Sequence, residues 1–260
     1  MNLLQVAQTF ATEDQALDYL VHARWPSGVR CIACDHDKVW RIDTKGKGIS
    51  ANQVSRHIGC SYKTAWYLCH RIRKAMEELN APALGGPGKI VEVDETFIGG
   101  VKRRKGIKAG KNAKIAVLGI AERSGRLHLQ TVPNTTALAI HPILHDRVNP
   151  DTDKVVTDSA NVYGKAFPKG KHEKASHHRE LRDDGFISST RYIESAFSLF
   201  KRGIVGSYHK MSRDHMDSYL QEFCWRFNRR HMQPWLFDIL LREVANGKPL
   251  TFKTLTREVF

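Results

Sequence analysis

The sequence predicts a mixed α/β domain preceded by a small helical arm. After residue 89, β-branched runs come first, helix and strand then alternate, and amphipathic helices finish the chain. That order builds a mixed sheet flanked by helices. The Gly/Pro-rich stretch Ala81-Pro-Ala-Leu-Gly-Gly-Pro-Gly88 breaks the preceding helical pattern and marks a domain boundary. With 260 residues, 41% of them hydrophobic, the chain is long and apolar enough for one medium-sized domain plus a smaller module.

The arm begins with a short helix over 12–24, capped by Thr12, with Ala16, Leu17, Leu20 and Val21 as its apolar face and Pro26 beyond its end. Cys31-Ile-Ala-Cys34 follows. A Cys-x-x-Cys pair is half of a zinc ribbon, whose tetrahedral site takes a second pair roughly fifteen to twenty residues later. That second pair is missing, although His36, Cys60, Cys69 and His70 are available, so Cys31 and Cys34 stand as a candidate zinc half-site. Residues 1–47 form this first segment.

Residues 48–80 read as a helix-turn-helix. Ser50 precedes a first helix ending at Ile58, Gly59 turns the chain, and Ser61 caps a second helix through Glu77. Val54, Ile58, Ala65, Leu68 and Ile72 form the expected apolar seam. Lys63, Thr64, Tyr67, Arg71 and Lys74 are then left to meet DNA, the early ones nearest the base edges. An ordinary helical hairpin with a solvated basic face has the same pattern.

The main domain spans 89–245, with 246–260 as a tail. Its first strand carries Asp94 and ends near Gly99-Gly100. A basic loop with Lys102, Arg103, Arg104 and Lys105 follows, suited to a phosphate backbone. Ile115–Ala121 and Leu127–Val132 read as strands joined by the turn Arg123-Ser-Gly-Arg126. Asn134–Val148 reads as a helix, Lys154–Asp158 as a buried strand and Lys174–His178 as a weaker one. Ile193, Phe197, Phe200 and Ile204 recur at helical spacing and predict a helix packed on the sheet. Ser212 is the expected cap of a further helix with Met216, Leu220, Phe223 and Phe227 buried, and Pro234 introduces a last helix to about Ala245.

The formal net charge of +14 and a pI near 9.7 favour a polyanionic partner, double-stranded DNA above all given the helix-turn-helix. No apolar run reaches membrane-spanning length, and the N-terminus has no basic flank or secretory cleavage pattern, which predicts a cytoplasmic protein without membrane association. Five cysteines at uneven spacing do not form a disulfide framework and suit a reducing compartment.

Three carboxylates carry the chemistry. Asp94 and Asp158 each end or interrupt a β-branched run, where an unpaired carboxylate is costly. Glu194 follows Asp158 by 36 residues on a predicted helix, and Lys201 follows Glu194 by seven, which returns the helix to nearly the same face. Acids delivered by two strands and a helix are what two Mg²⁺ or Mn²⁺ ions need for phosphodiester chemistry. In this reading Asp94 bridges the ions, Asp158 and Glu194 each hold one, and Lys201 positions a phosphate, with Arg202 beside it on the DNA-facing side. Glu92 and Glu95 compete on the same strand: two-residue alternation puts Glu92 on the face of Asp94 and turns Glu95 away.

The motifs Val91-Glu-Val-Asp-Glu-Thr-Phe-Ile-Gly-Gly100, Val156-Thr-Asp-Ser159, the run from Ile193 to His209 and Glu222-Phe-Cys-Trp-Arg-Phe-Asn-Arg-Arg230 resemble bacterial insertion-sequence transposases of the DDE type. The resemblance implies an RNase H-like domain, binding of terminal inverted repeats, metal-dependent cutting there, and attack of the freed 3′-hydroxyl on target DNA. It maps the acidic triad onto Asp94, Asp158 and Glu194, with Lys201 as the accompanying basic residue. It also implies a nucleoid-associated protein working as a homodimer or larger assembly on paired ends. Such proteins carry an N-terminal zinc ribbon, from which this chain departs by lacking the second Cys pair. A nuclease that cuts without joining, and an inactive DNA-binding regulator, are the competing readings.

Overall fold

In the computed structural model, the residues described are 11–12, 15, 18–19, 22, 26–28, 48–78, 81–99, 114–158, 161–164, 166–168, 170–175, 189–209, 211–246 and 251. The chain divides into two compact units, Met1–Asp43 and Thr44–Phe260. In the first, Thr12 and Gln15 exchange capping bonds: each backbone N–H donates to the other's side-chain oxygen. Cys31, Cys34 and the basic loop with Lys102, Arg103, Arg104 and Lys105 lie outside the described residues.

The second unit opens with α1 (Ala51–Ile58) and α2 (Tyr62–Ala75). Ser50 and Ser61 cap them through their hydroxyls, and Gly59 adopts the left-handed conformation that turns the chain between them. The expected seam is shifted. Ile58 and Leu68 are exposed, while Ala65, Cys69, His70, Arg73 and Met76 are buried. The seam turns because α2 packs against a later helix, and that contact selects a different stripe from the one that apolar periodicity alone indicates.

Five strands follow: β1 (Ile90–Ile98), β2 (Ile115–Glu122), β3 (Leu127–Val132), β4 (Lys154–Thr157) and β5 (His172–Lys174). They form one sheet in the order β3-β2-β1-β4-β5. β1 pairs antiparallel with β2 and β2 with β3, whereas β4 lies parallel to β1 and β5 parallel to β4. The crossover helix α3 (Ala137–Arg147) joins β3 to β4. This mixed α/β sheet has the RNase H-like arrangement, and β1 is its central strand. β5 lies at His172–Lys174, ahead of the expected Lys174–His178. Its short polar sequence gives little hydrophobic pattern, so pairing with β4 sets its position.

One face of the sheet packs Val91, Val93, Leu118, Ile120 and Val155 with Ile140 and Leu144 of α3 and with Tyr163. The other packs Val117, Ala121 and Leu129 against α4 (Arg191–Gly203) and α5 (Met216–Asn228) through Ile193, Phe197, Phe200, Met216 and Leu220. Burying each such side chain contributes about 1.5–3 kcal/mol relative to exposure. α5 starts at Met216, after a turn, so Ser212 does not cap it. After a 3₁₀ segment (Arg230–Trp235) comes α6 (Leu236–Asn246), the last helix among the described residues.

Gly119 of β2 sets how closely α4 approaches. It pairs with Asp94, and a Cβ there would lie 2.7 Å from both Ile193 Cδ1 and Phe197 Cζ. Both side chains are buried and have little room to retreat. Gly119→Ala is therefore expected to lift α4 from the sheet at a cost of about 1–3 kcal/mol. Thermal unfolding checks it: an unchanged midpoint would show that the core absorbs the methyl.

Candidate active site

β1 and β4 run parallel with Val93 opposite Thr157, so Asp94, midway along β1, and Asp158, just past the carboxyl end of β4, follow side by side. That end of parallel strands is the usual place for a site in α/β sheets. Carboxylate oxygens of Asp94, Glu95 and Asp158 all lie within 4.8 Å of one another. Glu95 belongs to the strand face of Val91, Val93 and Tyr163, as alternation dictates, yet its carboxylate still reaches the group. Alternation fixes where Cβ points, and a glutamate side chain is long enough to bend back.

Asp94 Oδ1 accepts the backbone N–H of Glu95 at 2.8 Å. Burial holds the Asp94 carboxyl up to about 6, and the charges of Asp158, Glu95 and Glu194 add to this against the pull of that hydrogen bond. Burial also raises Glu95, with the Tyr163 hydroxyl acting the other way and Asp158 adding to the rise. Tyr163 is fully buried beside Glu95. Burial and the adjacent carboxylates push that phenol far above its ordinary range. Three half-buried acids so close together gather oxygen donors and negative charge in a small volume. Hard oxygen donors so grouped suit a divalent cation such as Mg²⁺ or Mn²⁺.

Glu194 is not part of that tight group. It sits on the exposed side of the first turn of α4, where its Oε1 accepts the Thr190 hydroxyl at 2.8 Å. It lines an open cleft of about 650 Å³ together with Asp94, Glu95, Ser198, Lys201 and Arg202. Lys201 reaches across to β1, where its Nζ donates to Thr96 Oγ1 at 2.5 Å. The seven-residue step thus puts an acid and a lysine into one cleft, opposite the strand carboxylates.

On α2, Lys63, Thr64 and Arg71 are exposed, Tyr67 is half-buried, and the Arg71 guanidinium lies 5.7 Å from the Tyr67 ring. Thr64 shares in the helix cap through Ser61. Lys74 pairs with Glu77 at 2.5 Å, which reduces its readiness to meet a phosphate. Periodicity alone gave no sign of this pair, since Glu77 lies beyond the apolar stripe. Among the described residues, no helix is long and apolar enough to cross a membrane.

The raised Asp94 carboxyl has a consequence for stability. The folded state holds this proton more tightly than the unfolded chain, so the cost is absent below about pH 4 and fully present above about pH 6. Asp94→Asn removes it. Without metal at pH 8 the variant should be more stable by on the order of 1–2 kcal/mol after allowance for solvent screening, and the gain should fade towards pH 4. Denaturant unfolding at both pH values tests this; an equal effect at both would exclude the charge as the cause.

Comparison with known proteins agrees with this geometry. Residues 83–228, more than half of the chain, match a family described as the ISXO2-like transposase domain, and residues 11–54 match a transposase zinc-ribbon domain. The second match spans Cys31 and Cys34 and ends before Cys60. No curated protein matches the chain. Among solved structures it is similar to one titled "Crystal structure of a pre-cleavage Mos1 transpososome", at 13% identity over 95% of this chain and 92% of that chain, with a TM-score of 0.29. The two chains superpose only loosely.

Proposed function

The chain belongs to the ISXO2-like transposase family, and from that membership we propose that it binds the ends of a mobile DNA element, cuts them and joins them to target DNA. The grouping of Asp158 with Asp94 and Glu95, two acids that line one cleft with Glu194 and Lys201, carries this reading. Asp94, Asp158 and Glu95 would hold one Mg²⁺ or Mn²⁺ ion, and Glu194 would face a second from α4. Such ions supply positive charge where the phosphodiester oxygens gain negative charge.

The chain's own groups do the rest. Lys201, tethered to Thr96, and Arg202 present positive charge along the cleft and orient a phosphate for in-line attack. Water attacks first and the 3′-hydroxyl leaves. That hydroxyl then attacks a target phosphodiester, so each bond formed matches one broken.

In this reading residues 48–80 recognise the element's ends through Lys63, Thr64, Tyr67 and Arg71, and residues 89–245 perform the chemistry. Pairing of two ends calls for at least a dimer. Cys31 and Cys34 would bind zinc with ligands from beyond the usual second Cys pair. Incubating the protein with an end-sequence duplex, supercoiled plasmid and Mg²⁺ tests the reading. Joined products are expected. Cutting without joining would indicate a nuclease, and binding with neither would indicate a regulator.

A further inference from the structure

Glu92 is buried, with 1% of its surface exposed, two residues before Asp94 on the same face of β1. Its Oε2 accepts the backbone N–H groups of Tyr192 and Ile193 at 2.8 and 3.1 Å. Those residues open α4, and Glu194 comes next. The first N–H groups of a helix have no partner within it, and the helix dipole favours a negative charge there. A local cap normally satisfies them, but Thr190 at the N-cap makes no side-chain capping bond. Its hydroxyl is turned to Glu194 instead. The cap of α4 therefore comes from across the fold, from the strand that carries Asp94.

The other oxygen of Glu92 is held as firmly. Arg123 Nε donates to Oε1 at 2.7 Å, and Arg123 NH2 donates to the Ser189 carbonyl at 2.9 Å, just before the helix. Arg123 stands in the β2–β3 turn, and its backbone N–H donates to the Ile90 carbonyl of β1 at 3.0 Å. One carboxylate thus ties together β1, the β2–β3 turn and the start of α4. It is too fully occupied by these donors to serve as a metal ligand.

We infer that Glu92, clamped by Arg123, is a positioning residue that sets where Glu194 stands relative to Asp94. The inference rests on the reading of Glu194 as a member of the reacting site. Removing the clamp leaves α4 on the sheet through Ile193, Phe197 and Phe200 but frees its first turn, and Glu194 moves with that turn.

The test is a double-mutant cycle read on Mn²⁺ binding to the full chain, by electron paramagnetic resonance, with cleavage of an end-sequence duplex as a second readout. Glu92→Gln is expected to weaken Mn²⁺ binding and slow cleavage by about 10–100-fold, the usual scale for groups that orient a ligand. In a Glu194→Ala background the same change should alter Mn²⁺ affinity less than about twofold, because the residue it acts through is gone. Arg123→Gln keeps the helix bonds of Glu92 while removing its counter-charge, and carries the same expectation if Glu92→Gln folds poorly. Wild-type Mn²⁺ binding and cleavage in both clamp variants would overturn the inference. So would an undiminished loss in the Glu194→Ala background, which would mark a general structural role. Wild-type behaviour of Glu194→Ala alone would remove the underlying reading of that residue, and the inference with it.

Discussion

Asp158→Asn is expected to lower metal-dependent cutting of end-sequence DNA by at least about 10³-fold, with binding of the same duplex unchanged. The amide keeps the shape of the side chain and removes one anionic oxygen from a group that lies within 4.8 Å of Asp94 and Glu95. Metal coordination supplies several kcal/mol of charge stabilisation in the transition state, and each 1.4 kcal/mol or so is a factor of ten in rate. Asp94→Asn should behave alike in activity while gaining stability without metal, the trade expected of acids kept close for function. Single-turnover cleavage separates the effects. Loss of DNA binding in step with cleavage would instead mean a damaged fold.

Arg73→Ala is expected to destabilise the protein by about 3–5 kcal/mol, which lowers the melting temperature by on the order of 10 °C. Arg73 is almost wholly buried in α2, and its Nε meets Glu222 of α5 at 2.8 Å. The Tyr219 ring lies 4.0 Å beneath its guanidinium and the Tyr208 ring 5.6 Å away. Burial works against its charge, yet Glu222 together with the Tyr219 and Tyr208 phenols outweighs it and the guanidinium is held more firmly protonated. Removing Arg73 takes from the buried Glu222 its closest cation and leaves it with Arg226, at 3.1 Å, and the Tyr208 hydroxyl. A change of only a few tenths of a kcal/mol in denaturant unfolding would contradict this reading of the α2–α5 contact. Replacing both partners with apolar residues of similar size should recover much of the loss, since a buried pair is costly to break and cheap to replace.

The two predictions concern residues of opposite legibility. Asp94 and Asp158 were visible because a carboxylate inside a β-branched run breaks the local pattern, and parallel pairing of β1 with β4 then puts them together. Lys201 was visible because seven residues is close to two helical turns. Arg73 looked like one more cation on a basic helix. Nothing local announces that Glu222, 149 residues away, will bury it. The same limit hid Glu92: alternation gave its face, but only the tertiary arrangement brings the start of α4 to its carboxylate. Alternation turns the Cβ of Glu95 to the far side of the strand, but that rule does not bind the end of a longer side chain.

The proposed chemistry depends on a divalent metal centre where the middle of β1 meets the carboxyl end of β4. Anomalous diffraction from crystals of the full chain soaked in Mn²⁺ tests it most directly. A Mn²⁺ peak between Asp94 and Asp158, with Glu95 within coordinating reach, is the predicted result. No peak there under saturating Mn²⁺, with the carboxylates turned outward, would contradict it.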